Sequence, residues 1–383
     1  MVFRSSKSWF AIACALSVAL LGVTAPDPSP ARTERPGPAT PPKLFVAWSP
    51  QSLPANAKKA LERVRGVRAA TPVLVGLDWI MGSRAGGRTV DRPPKGYGYP
   101  FEIGVVAPRP YSKFVDQEHR DAVRRLSGRK LLIPLSEERI RGAGDGMLLR
   151  LRSGKSRVMK VVPDVVTQGY EGLMSRPAPR SWRYSARFFL IRADKDVSRK
   201  AMRRAIESVT RRGVPLNIKS HNGTRFLRYA HSVGTQMRFK KNFGEFAARP
   251  TSLGPLTMHG KWVGSHIKSD RVPILGTVTC HRKLFGQMRG ALRELRRKGL
   301  GHLIRPNEYA GCYNARFVST PPGVRLSRHS WGIAFDINTR NNQFGQPPHQ
   351  DKRLVRIMRE WGFTWGGRWP LPDGMHFEWR RFP

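Results

Sequence analysis

The sequence predicts an α+β protein: a C-terminal domain of a small antiparallel sheet with packed helices, preceded by a separate mixed α+β domain. Three observations carry that expectation. A strand–helix–strand pattern occupies residues 43–77 and recurs at 187–218. Two amphipathic helical patterns, 283–298 and 351–361, flank a short segment of alternating apolar residues at 332–338. Between the halves, 236–254 loses apolar periodicity, carries Lys240 and Lys241, and reads as the connecting segment. A chain of 383 residues with 39% hydrophobic content has room for two or three domains, each with its own core.

At the N-terminus Arg4 and Lys7 precede an apolar run from Trp9 to Val23, and Val23, Thr24 and Ala25 offer cleavage positions. Residues 1–25 therefore read as a secretory signal, because the run is short for a membrane span of about 20 residues. An uncleaved anchor is the weaker alternative, and Cys14 leaves with a cleaved signal. No later stretch is long and apolar enough to span a bilayer, so the mature chain is expected to have no transmembrane segment. Residues 26–42, rich in proline, read as a linker.

From residue 43 to 235 the pattern is that of the first folded domain. Leu44 to Trp48 reads as a strand, 56–64 as a helix with Ala60, Leu61 and Val64 on one side, and 69–77 as a second strand. In the later unit, 187–192 is a strand, and Asp196 or Ser198 caps a helix that buries Met202, Ala205, Ile206 and Val209. Gly213 ends that helix before a strand at 214–218, and short strands at 130–134 and 147–151 lie between the units. The pair of units is similar to ferredoxin-like domains or to the periplasmic domains of transport permeases. His119, His221 and His231 are isolated, so this domain shows no convergent set for chemistry. Its basic helix, with Arg199, Lys200, Arg203 and Arg204, is a solvated face or a contact for an anionic polymer.

From 255 to 383 the second domain opens with a strand at 272–279 leading to Cys280 and His281. The helix at 283–298 aligns Leu284, Met288, Leu292 and Leu295 and stops at Gly299; the one at 351–361 turns Leu354, Ile357, Met358 and Trp361 inward and stops at Gly362. His281 and His302 are expected to be structural, and His349 to lie in an exposed loop.

Strand alternation then isolates the chemistry. Ile333, Phe335 and Ile337 fall on one side, Ala334, Asp336 and Asn338 on the other, so Asp336 points away from the apolar face. Zinc takes His nitrogen and carboxylate oxygen, and a catalytic site keeps one of four positions open. His329, Asp336 and His376 would supply three ligands. Asp373, three residues before His376, can reach the same site as a base for water. Glu378 returns to the His376 face two residues on and ranks second, as a carboxylate that orients a ligand.

The run Ser327-x-His329-x-x-Gly332-x-Ala334-x-Asp336, followed by Trp365-Gly366-Gly367-Arg368-Trp369 and Asp373-x-x-His376-Phe377-Glu378, resembles the zinc peptidases of bacterial cell walls, the D-Ala-D-Ala carboxypeptidase and L-alanyl-D-glutamate endopeptidase family. The resemblance spans roughly 255–383. It implies His329, Asp336 and His376 as zinc ligands, Asp373 as general base, and Arg316 as the arginine that binds the substrate carboxylate or carbonyl. It implies a peptide bond of the peptidoglycan stem peptide as substrate, with Asp373 in a place where the carboxypeptidases usually have Glu, closer to the endopeptidase branch. The alternative is an inactive zinc fold that binds the wall.

A net charge of +43 calls for anionic surroundings, and for an exported protein these are the secreted space and cell envelope with their anionic polymers. Nucleic acid is the rival polyanion, but no interleaved aromatic and basic motif supports a specific nucleic-acid reader. An Arg-rich composition with no dedicated partner is the third reading. Cys280 and Cys312 survive signal removal, and an even pair in an exported chain argues for a disulfide over two buried thiols. Such a bridge stabilises by roughly 3–4 kcal/mol.

Overall fold

A computed structural model describes residues 43–177, 186–221, 235–319 and 325–383. The signal, Cys14, the linker and His231 lie outside the described residues. In the first part the strands are β1 (Lys43–Trp48), β2 (Val67–Ala85), β3 (Arg88–Asp91), β4 (Tyr99–Val106), β5 (Lys130–Pro134), β6 (Leu148–Leu151), β7 (Gly154–Val162), β8 (Gly172–Ser175), β9 (Ala186–Ala193) and β10 (Asn217–His221). Its helices are α1 (Ala57–Glu62), α2 (Pro108–Ser112), α3 (Arg120–Arg124), α4 (Leu135–Arg141) and α5 (Arg199–Glu207).

The two strand–helix–strand units make one antiparallel sheet in the order β10-β1-β9-β2, the order of a ferredoxin-like split unit. Alternation along β1 explains the layering. Phe45 and Ala47 face α1 and α5, where Leu61, Met202 and Ile206 are buried, while Val46 and Trp48 face Tyr111 and Val123 of α2 and α3. Ser198 caps α5 by accepting a bond from the Ala201 N–H at 3.1 Å.

β2 is 19 residues long and outruns the strand expected at 69–77. Beyond its contact with β9 it joins a ring: β2 pairs β4, β4 pairs β8, β8 pairs β5, β5 pairs β7, β7 pairs β6, and β6 returns to β2. Ile80, Phe101, Ile103, Leu131, Leu149 and Val158 fill its interior. Closure leaves these strands no free edge.

The second part contains α6 (Gln236–Phe243), α7 (Gly260–His266), β11 (Ile267–Val272), β12 (Gly276–His281), α8 (Phe285–Arg297), β13 (Ala334–Asp336), α9 (Lys352–Glu360), β14 (Phe363–Trp365) and β15 (His376–Trp379). Two local expectations change. The segment read as an aperiodic connector begins with α6, capped by Thr235, whose hydroxyl accepts from the Arg238 N–H at 3.2 Å. Its Phe239 and Phe243 are fully buried against Trp331 and Trp379, so tertiary packing makes a helix of a weak pattern. The strand expected at 272–279 is broken by a turn at Ile274, φ 67°, giving the β11–β12 hairpin.

β13, β15 and β14 form a three-stranded antiparallel sheet in that order, packed under α8 and α9. Its core holds Phe335, Phe363 and Phe377 with Met288, Leu292, Leu354 and Ile357, and is continuous with Leu77 and Trp79 of β2. Gly362, φ 82°, ends the α9 region where a Cβ would run into the Arg381 carbonyl. Among the described residues no helix is long and apolar enough to cross a membrane.

Candidate metal centre

β13 and β15 pair in a register that sets Asp336 opposite His376. His329 arrives from a short helical turn, Arg328–Trp331, started by Ser327 and ended at Gly332 in the left-handed region, φ 63°. A Cβ on Gly332 would lie 2.7 Å from the His281 nitrogen, so only glycine lets this turn close against β12. Ile333, Phe335 and Ile337 are buried as alternation predicts. Ala334, Asp336 and Asn338 are buried too: Asp336 faces a cavity and not open solvent, while Asn338, past the end of β13, is held by the Arg305 N–H, the Leu303 carbonyl and Gln350.

The structure brings His329, Asp336 and His376 together, with one ligand atom from each lying within 4.8 Å of the others. His329 Nε2 lies 3.3 Å from Asp336 Oδ2 and 3.3 Å from His376 Nδ1, and His376 Nδ1 lies 3.1 Å from Asp336 Oδ1. The outer nitrogens decide the tautomers. His329 Nδ1 meets the Cys312 carbonyl at 2.9 Å, and His376 Nε2 meets Glu378 Oε2 at 3.4 Å. Both outer partners only accept, so each ring carries N–H outward and a neutral ring turns its lone pair inward. Two lone pairs and a carboxylate then face one another, an arrangement that requires a cation.

The protonation balance agrees. Burial works against charge on His376, but hydrogen bonds to Asp336 and Glu378 overcome it and push the imidazole up to about 10. Burial likewise works to raise the Asp336 carboxyl, and the two histidines hold it well below the usual carboxylate range. The pocket selects positive charge between these groups. The donor set, two nitrogens and a carboxylate with acceptors behind both rings, fits a divalent metal ion.

Asp373 lines the same cavity of about 220 Å³. Its Oδ1 is buried with no hydrogen-bond partner, and burial, reinforced by the charge of Asp336, raises its carboxyl above the ordinary value. The Trp-Gly-Gly run explains its placement. A Cβ on Gly366 would sit 2.6 Å from the Asp373 carbonyl oxygen, and Trp365 donates its indole N–H to the Gly374 carbonyl at 2.7 Å. Arg316 lines the cavity as well, its main chain held on both sides by Ser330 Oγ at 3.0 Å. Cys280 and Cys312 are joined by a disulfide with Cα atoms 5.3 Å apart.

The other histidines stand apart. His281 is buried and satisfied by the Phe243 carbonyl and the Lys283 N–H, His302 contacts the Gly299 carbonyl, and His349 lines a different surface hollow. His119 pairs with Glu118, and His221 ends β10.

Sequence reasoning missed two kinds of residue. The Cys312 carbonyl has no signature in a string of side chains, and the cavity walls draw Phe344, Trp369, Leu371 and Met375 from separate loops. Of these only Trp369, inside the Trp-Gly-Gly-Arg-Trp run, carried a signal. Tyr309 is a further case: its hydroxyl is buried without a partner, and burial together with the charge of Asp336 raises it.

The fold and site thus define an α+β protein with a buried His, Asp, His centre suited to a metal. Residues 322–379 match the family model described as D-alanyl-D-alanine carboxypeptidase, a stretch that contains all three of these residues with Asp373 and Glu378. No curated protein matches the chain. Among solved structures, the periplasmic region of MacB from Actinobacillus actinomycetemcomitans is 9% identical, covering 46% of this chain and 87% of that one, with a TM-score of 0.32. A domain of a putative permease from Porphyromonas gingivalis is 15% identical, covering 49% and 92%, with a TM-score of 0.29. The extracellular domain of the ABC-type transporter YknZ from Gram-positive bacteria is 11% identical, covering 47% and 100%, with a TM-score of 0.28.

Proposed function

We propose that the chain is an exported, zinc-dependent peptidase that hydrolyses a peptide bond of the peptidoglycan stem peptide, of the D-alanyl-D-alanine carboxypeptidase or L-alanyl-D-glutamate endopeptidase type. The observation that carries this reading is the inward-facing set of His329 Nε2, His376 Nδ1 and the Asp336 carboxylate, with the unpartnered Asp373 on the same cavity. The family match over 322–379 supports the substrate class. Residues 255–383 carry the chemistry in this reading, and residues 43–235, with 236–254 between, serve a separate role.

Zinc held by His329, Asp336 and His376 would supply Lewis acidity toward a peptide carbonyl and its attacking water. Asp373, ionised, takes the proton from that water and returns it to the leaving amine. Arg316 binds a substrate carboxylate or the carbonyl oxygen as charge develops. Glu378 and the Cys312 carbonyl hold the two rings in the tautomers that face inward. The basic run at Arg4 and Lys7 before the apolar stretch, and the disulfide, favour a secreted or envelope location, where the excess of positive charge meets anionic polymers.

The test is digestion of muropeptides of defined stem length by purified mature protein, with zinc and with a chelator, followed by mass spectrometry. Loss of a single D-alanine defines the carboxypeptidase and release of L-alanine-linked fragments the endopeptidase. The absence of any zinc-dependent product overturns the proposal.

A further inference from the structure

The segment from Tyr309 to Arg316 hydrogen-bonds to two of the three ligand residues, Asp336 and His329. Its Ala310 N–H donates to the Asp336 carbonyl at 3.0 Å, and its Gly311 carbonyl accepts from the Asp336 N–H at 3.2 Å. The Cys312 carbonyl takes the Nδ1 proton of His329 at 2.9 Å, and the Asn314 N–H donates to the His329 carbonyl at 3.0 Å. Arg316, at its end, lines the cavity. The segment contains no strand longer than an isolated bridge, so it lacks a ladder to hold it. Its end is held by the Leu256 N–H on the Ala315 carbonyl at 2.8 Å and the Ser327 N–H on the Arg316 carbonyl at 2.9 Å. Its middle, where the Cys312 carbonyl lies, is fixed by β12: the Tyr313 N–H donates to the Thr279 carbonyl at 2.9 Å, and Cys312 is bonded to Cys280. β12 also receives the ligand turn, its His281 N–H donating to the Gly332 carbonyl at 2.8 Å.

We infer that the Cys280–Cys312 disulfide positions the metal centre, by holding the Cys312 carbonyl against His329, and that the site reaches its full affinity for metal only after the two cysteines are oxidised. This rests on the metal reading above. In the reduced chain the 309–316 segment loses its covalent anchor, and the Cys312 carbonyl, no longer fixed to β12 through its own side chain, can draw away from His329 Nδ1. The His329 ring can then turn or shift its proton to Nε2, which removes the inward lone pair. Maturation transfers two electrons and two protons from the thiols to a disulfide oxidant, which leaves as a dithiol while the Sγ–Sγ bond forms. In a reducing compartment the chain stays in the low-affinity form, so an exported hydrolase is assembled where its substrate is and not where it is made.

The experiment is a zinc competition titration against a chromophoric chelator, on the oxidised protein and on the double variant Cys280→Ser with Cys312→Ser, which keeps the carbonyl and adds no thiol ligand. The expected result is a zinc affinity about 10- to 100-fold lower in the variant, the range for loss of a ligand-orienting partner. Equal affinities, with only the melting temperature lowered, overturn the inference and leave the metal reading standing. No zinc binding by the oxidised protein overturns both.

Should the double variant fail to fold, the zinc-loaded wild type is treated with a phosphine, which reduces the disulfide with water as oxygen source and becomes its oxide. Release of zinc to the chelator is followed while circular dichroism reports the fold. Thiols set free can only retain zinc, so faster release that reverses on reoxidation supports the inference. Unchanged release overturns it.

Discussion

Arg141 and Lys240 sit among Asp91, Glu137, Glu171 and Glu245, whereas His329, Asp336 and His376 turn acceptors toward one another. In the first cluster all three guanidinium nitrogens of Arg141 meet a carboxylate. The Lys240 ammonium meets Glu171, Glu245 and the Pro100 carbonyl, each at 2.6 Å. Burial works against both cations, yet the carboxylates raise their affinity for protons above the ordinary value. That cluster carries its own cations and closes on itself. The second is as buried but holds no permanent cation, only rings that must take up a proton or a metal ion to balance Asp336, and it opens onto a cavity lined by Asp373 and Arg316. Burial of charge alone therefore does not mark a site; what marks it is a set of inward donors and acceptors that cannot be balanced from within.

The sharpest way to separate the two clusters is Asp373→Asn, which changes the cavity and leaves the three ligands in place. Peptide hydrolysis, followed by chromatography of muropeptides, should fall by about 10²- to 10⁴-fold while zinc affinity stays within error. A loss of zinc along with activity would make Asp373 part of the metal support and not the base.

Lys240→Ala attacks the other cluster. It leaves Glu171 without its paired cation and Glu245 with Arg141 alone, and urea unfolding should show a loss of about 3–5 kcal/mol. Unfolding within 1 kcal/mol of wild type would mean that the cluster is not the closed unit described.

Glu378→Gln tests the support behind a ligand. A neutral acceptor behind His376 Nε2 should lower zinc affinity by about 10- to 100-fold with little change in unfolding of the metal-free protein. An unchanged affinity would remove Glu378 from the centre.

The smallest effect comes from His281, a buried histidine already satisfied on both nitrogens and a control for the metal pair. Burial, against the bond to the Phe243 carbonyl, pushes it down to about 4. A base with a depressed folded value takes up its proton more readily when unfolded. Its contribution to stability is therefore complete above its ordinary value of 6.5 and is lost as pH falls from there toward 4. In chelator, His281→Asn should flatten that acid limb in denaturant titrations; an identical slope would show that this ring does not titrate there.

Much of the molecule was legible in the chain. The repeated strand–helix–strand units, the cap at Ser198, and the glycine stops at 299 and 362 are local signals, and local physics produced them. Site spacing was legible because Asp336 and His376 sit on paired strands and His329 on the adjoining turn. The ring of strands was not, since its closure depends on β2 meeting β6 across 65 or so residues of sequence, which no periodicity encodes. α6 was hidden for a different reason. Lys240 looks like a surface residue until Glu171, far away in sequence, is placed beside it. The backbone carbonyl that orients His329 has no sequence signature of any kind.

β2 hydrogen-bonds to β9 along its first half, to β4 through its middle, and to β6 and β3 at its far end, while its Leu77 and Trp79 enter the core of the second part. Its central amides cannot open without parting the ferredoxin-like sheet from the ring. In hydrogen exchange they should report global unfolding and nothing smaller, which would make this strand the clock by which the whole chain comes apart.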